Sequence, residues 1–349
     1  MKEDFHNRHE EMALKAYETP GMFPHRYVFI LTNRCNLNCS FCFQKKRSDK
    51  KSMDADDWYT LLNQLPQYAR VTMTGGEPLL YDSFIDVFTR VAEKFTCNII
   101  TNGILLNKNL IDYILSFKNF RVLSISIDNI GNTIRNVKKR DWDNLEEMMR
   151  YFVVKRDQLH PECILDVKTL ILDENAKELF AIHQYCMEQL NCNSHSLQFT
   201  KGSPIQHADH MFTIDDIVKK SKAPVIKQFK TVKSELEKIR DYNVRSGKRA
   251  FLHPKIASLN SEERLPDIEY INNSEHVASC FQPCIFPWSS VHINSDGHLF
   301  PCLAVSMGNV KNTSLKDIIS GEIATQFKNI IRSSGTIEGC NRCGWLRPR

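Results

Sequence analysis

The chain has 349 residues, of which 42% are hydrophobic and 25% are charged, so it is expected to fold around a full core rather than to be disordered. No run approaches the roughly eighteen consecutive apolar residues that a membrane span needs, and the first twenty residues lack the apolar core of a signal peptide. The net charge of +5 comes without a long Lys/Arg block, which is weak evidence for a nucleic-acid partner. We therefore expect a cytoplasmic protein without a membrane partner.

The chain contains twelve cysteines. Because the cytoplasm keeps thiols reduced, these cysteines favour metal binding over disulfides. Seven of them fall into two groups whose spacing suits metal ligands. Four others are expected to be buried thiols without a metal role: Cys97, Cys163, Cys186 and Cys192.

Between residues 27 and 200, short apolar or β-branched runs alternate with stretches of helical periodicity, which is typical of βα units around a parallel sheet. The predicted strands are 27–31, 70–73, 97–101, 122–127, 163–172 and 195–199. The predicted helices are 54–65, 83–95, 109–117, 141–154 and 176–190, with Asp54 and Asp141 as expected N-caps. Right-handed crossovers would curl the six units into a partial, TIM-like (βα)6 barrel, so the predicted fold class is α/β.

After residue 200 the alternation stops, and residues 213–242 read as helical with a break at Pro224. Residues 251–276 show no clear period. The predicted organisation is an N-terminal extension (1–26), a barrel core (27–200), a connector of helix and loop (201–279) and a small cysteine-rich module (280–349).

The first cysteine group is Cys35, Cys39 and Cys42, directly after the first predicted strand, with Phe41 before the last cysteine. Three thiolates can hold a 4Fe–4S cluster and leave its fourth iron open for a cofactor. A zinc loop or three buried thiols are the alternatives, although zinc normally takes four ligands in a structural site.

This Cys-x-x-x-Cys-x-aromatic-Cys loop resembles that of the radical S-adenosylmethionine (SAM) superfamily, and the resemblance extends over residues 27–199. It implies that SAM binds the open iron and is cleaved to a 5′-deoxyadenosyl radical, which abstracts a hydrogen atom from the substrate. It also implies an external electron donor such as a flavodoxin or ferredoxin. No catalytic acid or base is assigned.

The resemblance makes Phe41 a SAM-binding residue beside the cluster and places further SAM contacts at successive strand ends. Gly75, Gly76 and Glu77 would meet the SAM amino group, and Asn102, Ser126 and Asp128 would add polar contacts. Arg135 would hold the SAM carboxylate, with Arg140 as the competing choice.

Taken singly, these residues also fit plain structural roles: a tight turn, a helix cap or a solvated charge. The family's usual Asp-Gly after the fourth strand is Asp128-Asn129 here, and Asn129 is expected to keep the turn because Asn tolerates a positive φ.

The second cysteine group is Cys284, Cys302, Cys340 and Cys343. Asp296-Gly297 predicts a hairpin turn between 288–293 and 298–303. The pattern resembles the SPASM and shorter Twitch modules, which implies a second, fully ligated 4Fe–4S cluster. A structural zinc site remains the alternative, and Cys280 is a spare that could replace Cys284.

The resemblance implies oxidative modification or cross-linking of a ribosomally made peptide. The close alternative is the same radical chemistry on a small molecule such as a sugar, an antibiotic or a cofactor precursor. A non-catalytic iron–sulfur protein that transfers electrons or senses redox state is the alternative from another class.

Overall fold

The computed structural model describes residues 4–42, 52–202, 211–219, 221–302 and 305–349. The strands are β1 Arg26–Ile30, β2 Arg70–Thr74, β3 Thr96–Thr101, β4 Phe120–Ser126, β5 Ile164–Ile171, β6 Ser194–Phe199, β7 Ala250–His253, β8 Ser290–Ile293, β9 His298–Phe300 and β10 Gly308–Asn309. The α-helices are α1 Asp4–Glu18, α2 Ala55–Leu62, α3 Phe84–Lys94, α4 Lys108–Leu115, α5 Lys139–Leu159, α6 Leu179–Glu188, α7 Ile214–Lys219, α8 Phe229–Ser246, α9 Leu315–Ser320 and α10 Glu322–Ser334. None of the helices within these ranges is long and apolar enough to cross a membrane.

Strands β1 to β6 pair in parallel in sequence order, and a helix lies between each pair of consecutive strands from β1 to β6. One face of each strand packs on these helices: in β1 the alternating side chains of Tyr27 and Phe29 join the main hydrophobic cluster. The predicted βα alternation and partial barrel are therefore confirmed, and every predicted strand lies within two residues of the observed one.

The predicted N-cap at Asp54 is confirmed, and the one at Asp141 is wrong. Asp54 Oδ1 accepts from the N–H of Asp57, while the Asp57 carboxylate accepts from the N–H of Asp54, which completes a capping box. Helix α5 instead begins at Lys139, with Lys138 in the extended conformation that a cap requires. Asp141 lies in the first helical turn, where its negative charge complements the helix dipole.

The sheet extends beyond the six predicted strands. Strand β7 pairs in parallel with β6, so the connector is not made of helix and loop alone. Strand β8 pairs in parallel with β1 on its other side, and β9 and β10 continue antiparallel. The cysteine-rich module therefore shares one ten-stranded sheet with the barrel, in an open order that runs from β10 to β7.

Two further predictions for this part of the chain, the break at Pro224 and the hairpin turn, are confirmed. Pro224 lies between α7 and α8, so the predicted break is confirmed. The hairpin turn is also confirmed, with Gly297 at φ 90°, although its strands β8 and β9 are shorter than predicted.

The inner faces of the strands carry a mixture of apolar and polar side chains. These positions alternate with the helix-packed residues of the same strands. The polar ones that are used below are Arg26, Arg70, Ser124, Asp166, Lys168, Ser194 and Ser196.

We expect the C-terminal module to be stabilised by its pairing with β1 and not only by its own core. Val291→Pro removes the N–H of residue 291 from β8, which lies between β1 and β9 in the sheet. The loss of a buried hydrogen bond lowers the free energy of unfolding by about 1–3 kcal/mol. Val291→Ala is the matched control, because it shortens the same buried side chain and keeps the N–H. Thermal unfolding that is equal for both variants would contradict this dependence.

Candidate functional site

The first cysteine group follows the carboxyl end of β1. Cys35, Cys39 and Cys42 are all partly exposed, and the N–H of Leu37 donates to Cys35 Sγ at 3.4 Å. Burial raises the pKa of Cys39, and the neighbouring thiols of Cys42 and Cys35 raise it further, while the Arg135 guanidinium lowers it. Three thiols close enough to affect one another in this way suit a cluster whose irons supply positive charge.

Two glycines bring the loop after β2 against the cysteine loop. The N–H of Gly76 donates to the carbonyl of Thr32 at 2.7 Å, and the N–H of Glu77 donates to the carbonyl of Arg34 at 2.8 Å. A Cβ on Gly75 would lie 2.6 Å from the Thr32 carbonyl oxygen, and one on Gly76 would overlap that of Arg34. Glycine is thus required here by the contact between two loops, while contact with the SAM amino group stays a prediction.

Glu77 ties three segments together from a fully buried position. Its carboxylate accepts from the Thr101 hydroxyl at 2.6 Å, from the N–H of Asn102 at 2.8 Å and from that of Leu79 at 3.1 Å. Burial raises the pKa of Glu77, and these three hydrogen bonds oppose the shift. A carboxylate offers about four acceptor positions, so the predicted contact with SAM would have to use the remaining one.

Asn102 faces the cysteine loop from the end of β3. Its side-chain amide donates to Asn36 Oδ1 at 2.8 Å and lies 3.9 Å from Cys35 Sγ. The structure therefore places this predicted SAM-binding residue beside a predicted cluster ligand.

The buried Asp128 and the partly buried Arg135 form an ion pair next to the same loop. Arg135 Nε lies 2.7 Å from Asp128 Oδ2, and the guanidinium lies 5.3 Å from the centre of the Phe41 ring. Cys39 Sγ is 4.0 Å from the Arg135 carbonyl oxygen. Arg140, the competing choice, has a side chain that is 95% exposed, so the geometry favours Arg135.

The turn after β4 depends on residues that sequence reasoning missed. Asn132 is fully buried; its side chain accepts from the N–H of Asp128 at 3.0 Å and donates to the carbonyl of Ser126 at 2.9 Å. The positive φ expected at Asn129 lies instead at Gly131 and Asn132. The side chain of Asn132 supplies hydrogen bonds that the backbone of this irregular turn does not make. The only feature of the sequence that points to this role is the Gly-Asn pair.

The second cysteine group is brought together in an apolar setting. Burial raises the pKa of Cys302 and of Cys340, and the other thiols of the group, including Cys284 and Cys343, raise both further. Burial, followed by the effect of Cys343, raises the pKa of Cys284 to about 12. Bare thiolates would be costly here, so the donor set fits a group that supplies positive charge.

Within the described ranges, no three metal-binding side chains converge on a single ion. A cubane does not need such convergence, because each cysteine binds a different iron. Cys280 interacts electrostatically with Tyr270, and its role as a spare ligand stays a prediction. Cys97, Cys163, Cys186 and Cys192 are all buried, as expected.

The two cysteine groups lie toward opposite ends of β1. Cys343 interacts electrostatically with Arg26, the first residue of β1, whereas Cys35 follows the last residue, Ile30, by five positions. A strand rises about 3.3 Å per residue, so the four steps along β1 span about 13 Å.

The inner wall of the barrel is polar at the middle of the sheet. Asp166 accepts from the hydroxyls of Ser194 at 2.7 Å, Ser196 at 3.0 Å and Ser124 at 3.3 Å. Lys168 Nζ lies 3.1 Å from the same carboxylate and its side chain is 37% exposed. This wall offers charged and hydroxyl groups to a polar substrate.

We expect Gly76→Ala to displace the loop after β2 from the cysteine loop. The new Cβ would overlap the backbone of Arg34, so the variant should lose stability by about 1–3 kcal/mol and bind less iron at the first group. Gly247→Ala is the matched control: Gly247 has φ 70° at the end of α8, and among the described residues its Cβ would meet no atom within 4 Å. Equal iron content per chain in the two reconstituted variants would contradict the expected role of Gly76.

Two family models match the chain. Residues 29–183 match the radical SAM superfamily, and residues 284–344 match SPASM, an iron–sulfur cluster-binding domain. The first match contains the cysteine loop and the SAM-site loops, and the second contains all four cysteines of the C-terminal group. The second match favours an iron–sulfur cluster over the structural zinc alternative.

Curated relatives are similar over most of the chain. The sporulation killing factor maturation protein SkfB of Bacillus subtilis is 24% identical over 306 residues, covering 85% of this chain and 65% of SkfB. The GTP 3′,8-cyclase of Clostridium perfringens (strain 13) is 22% identical over 316 residues, which cover 87% of each chain.

The fold is similar to that of a solved structure, Streptococcus suis SuiB bound to the precursor peptide SuiA. The TM-score is 0.63 at 18% identity, and the match covers 97% of this chain and 73% of SuiB. The two domain matches and this common fold agree with the geometry of both cysteine groups. The chain therefore belongs to the radical SAM superfamily, and it is a radical SAM enzyme with a C-terminal SPASM iron–sulfur domain.

Proposed function

We propose that the chain oxidatively modifies or cross-links a peptide. SAM would bind beside Cys35, Cys39 and Cys42, and a second cluster would be held by the four C-terminal cysteines. The observation that carries the proposal is the position of the two cysteine groups toward opposite ends of β1, in a barrel with a polar inner wall. When bound, the first cluster and SAM supply a radical that removes a hydrogen atom from the substrate.

The chain's own residues would position the reactants. Arg135 and Asn102 would orient SAM over the cysteine loop, where Glu77 and the two glycines hold the surrounding loops in place. The serines around Asp166, together with Lys168, would hold polar groups of the substrate against the inner wall. The barrel would also exclude water from the radical.

Net oxidation requires a second electron acceptor. Loss of a hydrogen atom leaves a substrate radical, and removal of one further electron and a proton completes a two-electron oxidation. Four thiolates occupy every iron of a cubane, which favours electron transfer over ligation of substrate at the second group. One electron per SAM must come from outside, and a flavodoxin- or ferredoxin-like donor would deliver it at the partly exposed cysteine loop.

Two similarities support a peptide substrate. SkfB is named as a maturation protein, and SuiB has been crystallised with a precursor peptide. This chain covers 65% of SkfB, so the activity of that whole protein is carried over here only as a proposal.

A small-molecule substrate is the second candidate. The GTP 3′,8-cyclase is similar over 87% of both chains. Arg26 and Arg70 are register neighbours on the inner faces of β1 and β2, and two guanidinium groups there would suit an anionic small molecule.

The ligand assignment predicts two clusters per chain. After anaerobic reconstitution we expect about eight irons and eight sulfides, and about four of each once Cys35, Cys39 and Cys42 are all replaced by Ala. Replacement of the four C-terminal cysteines should likewise leave about four. About four irons with one zinc in the unmodified protein would overturn the second cluster.

The oxidative role predicts that the two clusters can be separated functionally. Replacing Cys340 and Cys343 by Ala should keep the formation of 5′-deoxyadenosine from SAM and abolish the modified product, because the electron acceptor is lost. Cys280→Ala is the matched control, since it removes a nearby thiol outside the proposed ligand set. Product formed at an unchanged rate by the Cys340/Cys343 variant would contradict the role.

The substrate class is tested with the unmodified enzyme, reduced and loaded with clusters. Peptide and small-molecule fractions of the host extract are added separately, and 5′-deoxyadenosine is followed by chromatography. Stimulation by the peptide fraction supports the proposal. Stimulation by the small-molecule fraction alone moves the assignment to the second candidate.

A further inference from the structure

Two arginines lie near the second cysteine group, and one of them, Arg342, is deeply buried. Arg342 stands between Cys340 and Cys343 and is 1% exposed. Its guanidinium donates to the carbonyl oxygens of Ile271 and Pro224, both at 2.8 Å, and of Thr200 at 3.3 Å. Every one of these acceptors is uncharged.

Arg26 approaches the group from the barrel. Its Nη1 donates to the Ser290 hydroxyl at 3.0 Å, and its guanidinium lies 5.6 Å from the centre of the Trp345 ring. Trp345 is two residues from Cys343, and the Cys343 thiol is the group that acts on Arg26 electrostatically in the direction that favours its charged form.

Neither guanidinium has a carboxylate partner within 4.0 Å among the residues that the structure describes. Both guanidinium groups carry a positive charge at neutral pH, because arginine loses its proton only far above pH 7. A buried charge without a counter-charge is strongly destabilising, and proteins normally pair such groups.

The four thiolates of the second group can provide that counter-charge. Bound to a 4Fe–4S core of charge about +2, they give a cluster of net charge about −2, which becomes about −3 on reduction. We propose that Arg26 and Arg342, whose charges no carboxylate among the described residues balances, are charge partners of the second cluster and stabilise its reduced form. This inference rests on the ligand set of the proposed function.

The direction of the effect follows from Coulomb's law. A fixed positive charge gains attraction when the cluster takes up one more negative charge, so each arginine makes the cluster a stronger electron acceptor. Arg342 is fixed by three carbonyl groups and Arg26 by Ser290 and Trp345, so little reorganisation is needed when the electron arrives. The two are positioning residues for electron transfer and do not need to touch the substrate.

The test measures the reduction potential of the second cluster by itself. In a background where Cys35, Cys39 and Cys42 are Ala, the midpoint potential is followed by electron paramagnetic resonance during an anaerobic redox titration. Arg26→Gln should shift the equilibrium at least tenfold toward the oxidised cluster, which for one electron is about 59 mV more negative. Arg26→Lys keeps the charge and should recover most of the shift.

Arg140→Gln in the same background is the matched control, because the Arg140 side chain is 95% exposed and belongs to neither cysteine group. Arg342→Gln should also lower the midpoint potential of the second cluster. If Arg342→Gln instead loses iron because its contacts with the carbonyl groups are missing, the potential of Arg26→Gln decides whether the inference holds.

The possible results distinguish a failure of this inference from a failure of the proposed cluster ligands. A four-iron cluster in Arg26→Gln with the same potential as in Arg140→Gln overturns the inference and leaves the ligand set intact. Absence of a four-iron cluster in Arg140→Gln itself overturns the ligand set, and the inference fails with it.

Discussion

The double pairing of β1 is the constraint on which the arrangement of this protein depends. β1 pairs in parallel with β2 on one side and with β8 on the other, so it is fixed in the interior of the sheet along its length. The first cysteine loop follows the carboxyl end of β1, and Arg26, the first residue of β1, lies beside Trp345, two residues from Cys343. Neither group can move far without disturbing a central strand, and the separation between them is therefore set by backbone hydrogen bonds rather than by a flexible linker.

At the carboxyl end of β1, buried carboxylates hold irregular loops in place. Glu77 joins the loops after β2 and β3, and Asp128 joins the turn after β4 to β5 through the N–H of Leu170 at 2.7 Å. Loops that leave parallel strands have backbone N–H groups without ladder partners, and a buried carboxylate can accept from several of them at once. The hydrogen bonds and the Arg135 ion pair oppose the cost of burying these charges, and the two carboxylates link the loops that surround the cysteines.

The sequence predicted the strands well, and the grouping of the cysteines was visible in it too, because both are local signals. A period-two pattern over five to eight residues and a Cys-x-x-x-Cys spacing are visible without knowledge of neighbours. Strand β7 was missed because four residues are too few to show a period, and it is defined by pairing with β6. The cap at Asp141 was wrong because two helical residues precede it. The burial of Glu77 and of Arg342 could not be predicted from the sequence, because each depends on segments that are distant in sequence and meet only in the fold.

The segment 340–345 lies close to both β1 and β7, and these contacts tie the second cysteine group to the barrel. Arg26 of β1 contacts Trp345, while a Cβ on Gly344 would lie 3.6 Å from His253 of β7. Arg342 also reaches the carbonyl of Thr200, directly after β6. In the strand order β1 and β7 are six positions apart, so this cysteine-bearing segment links distant parts of the sheet. A substrate held against the inner wall would then lie close to the second cluster, so an electron could pass from the substrate to that cluster.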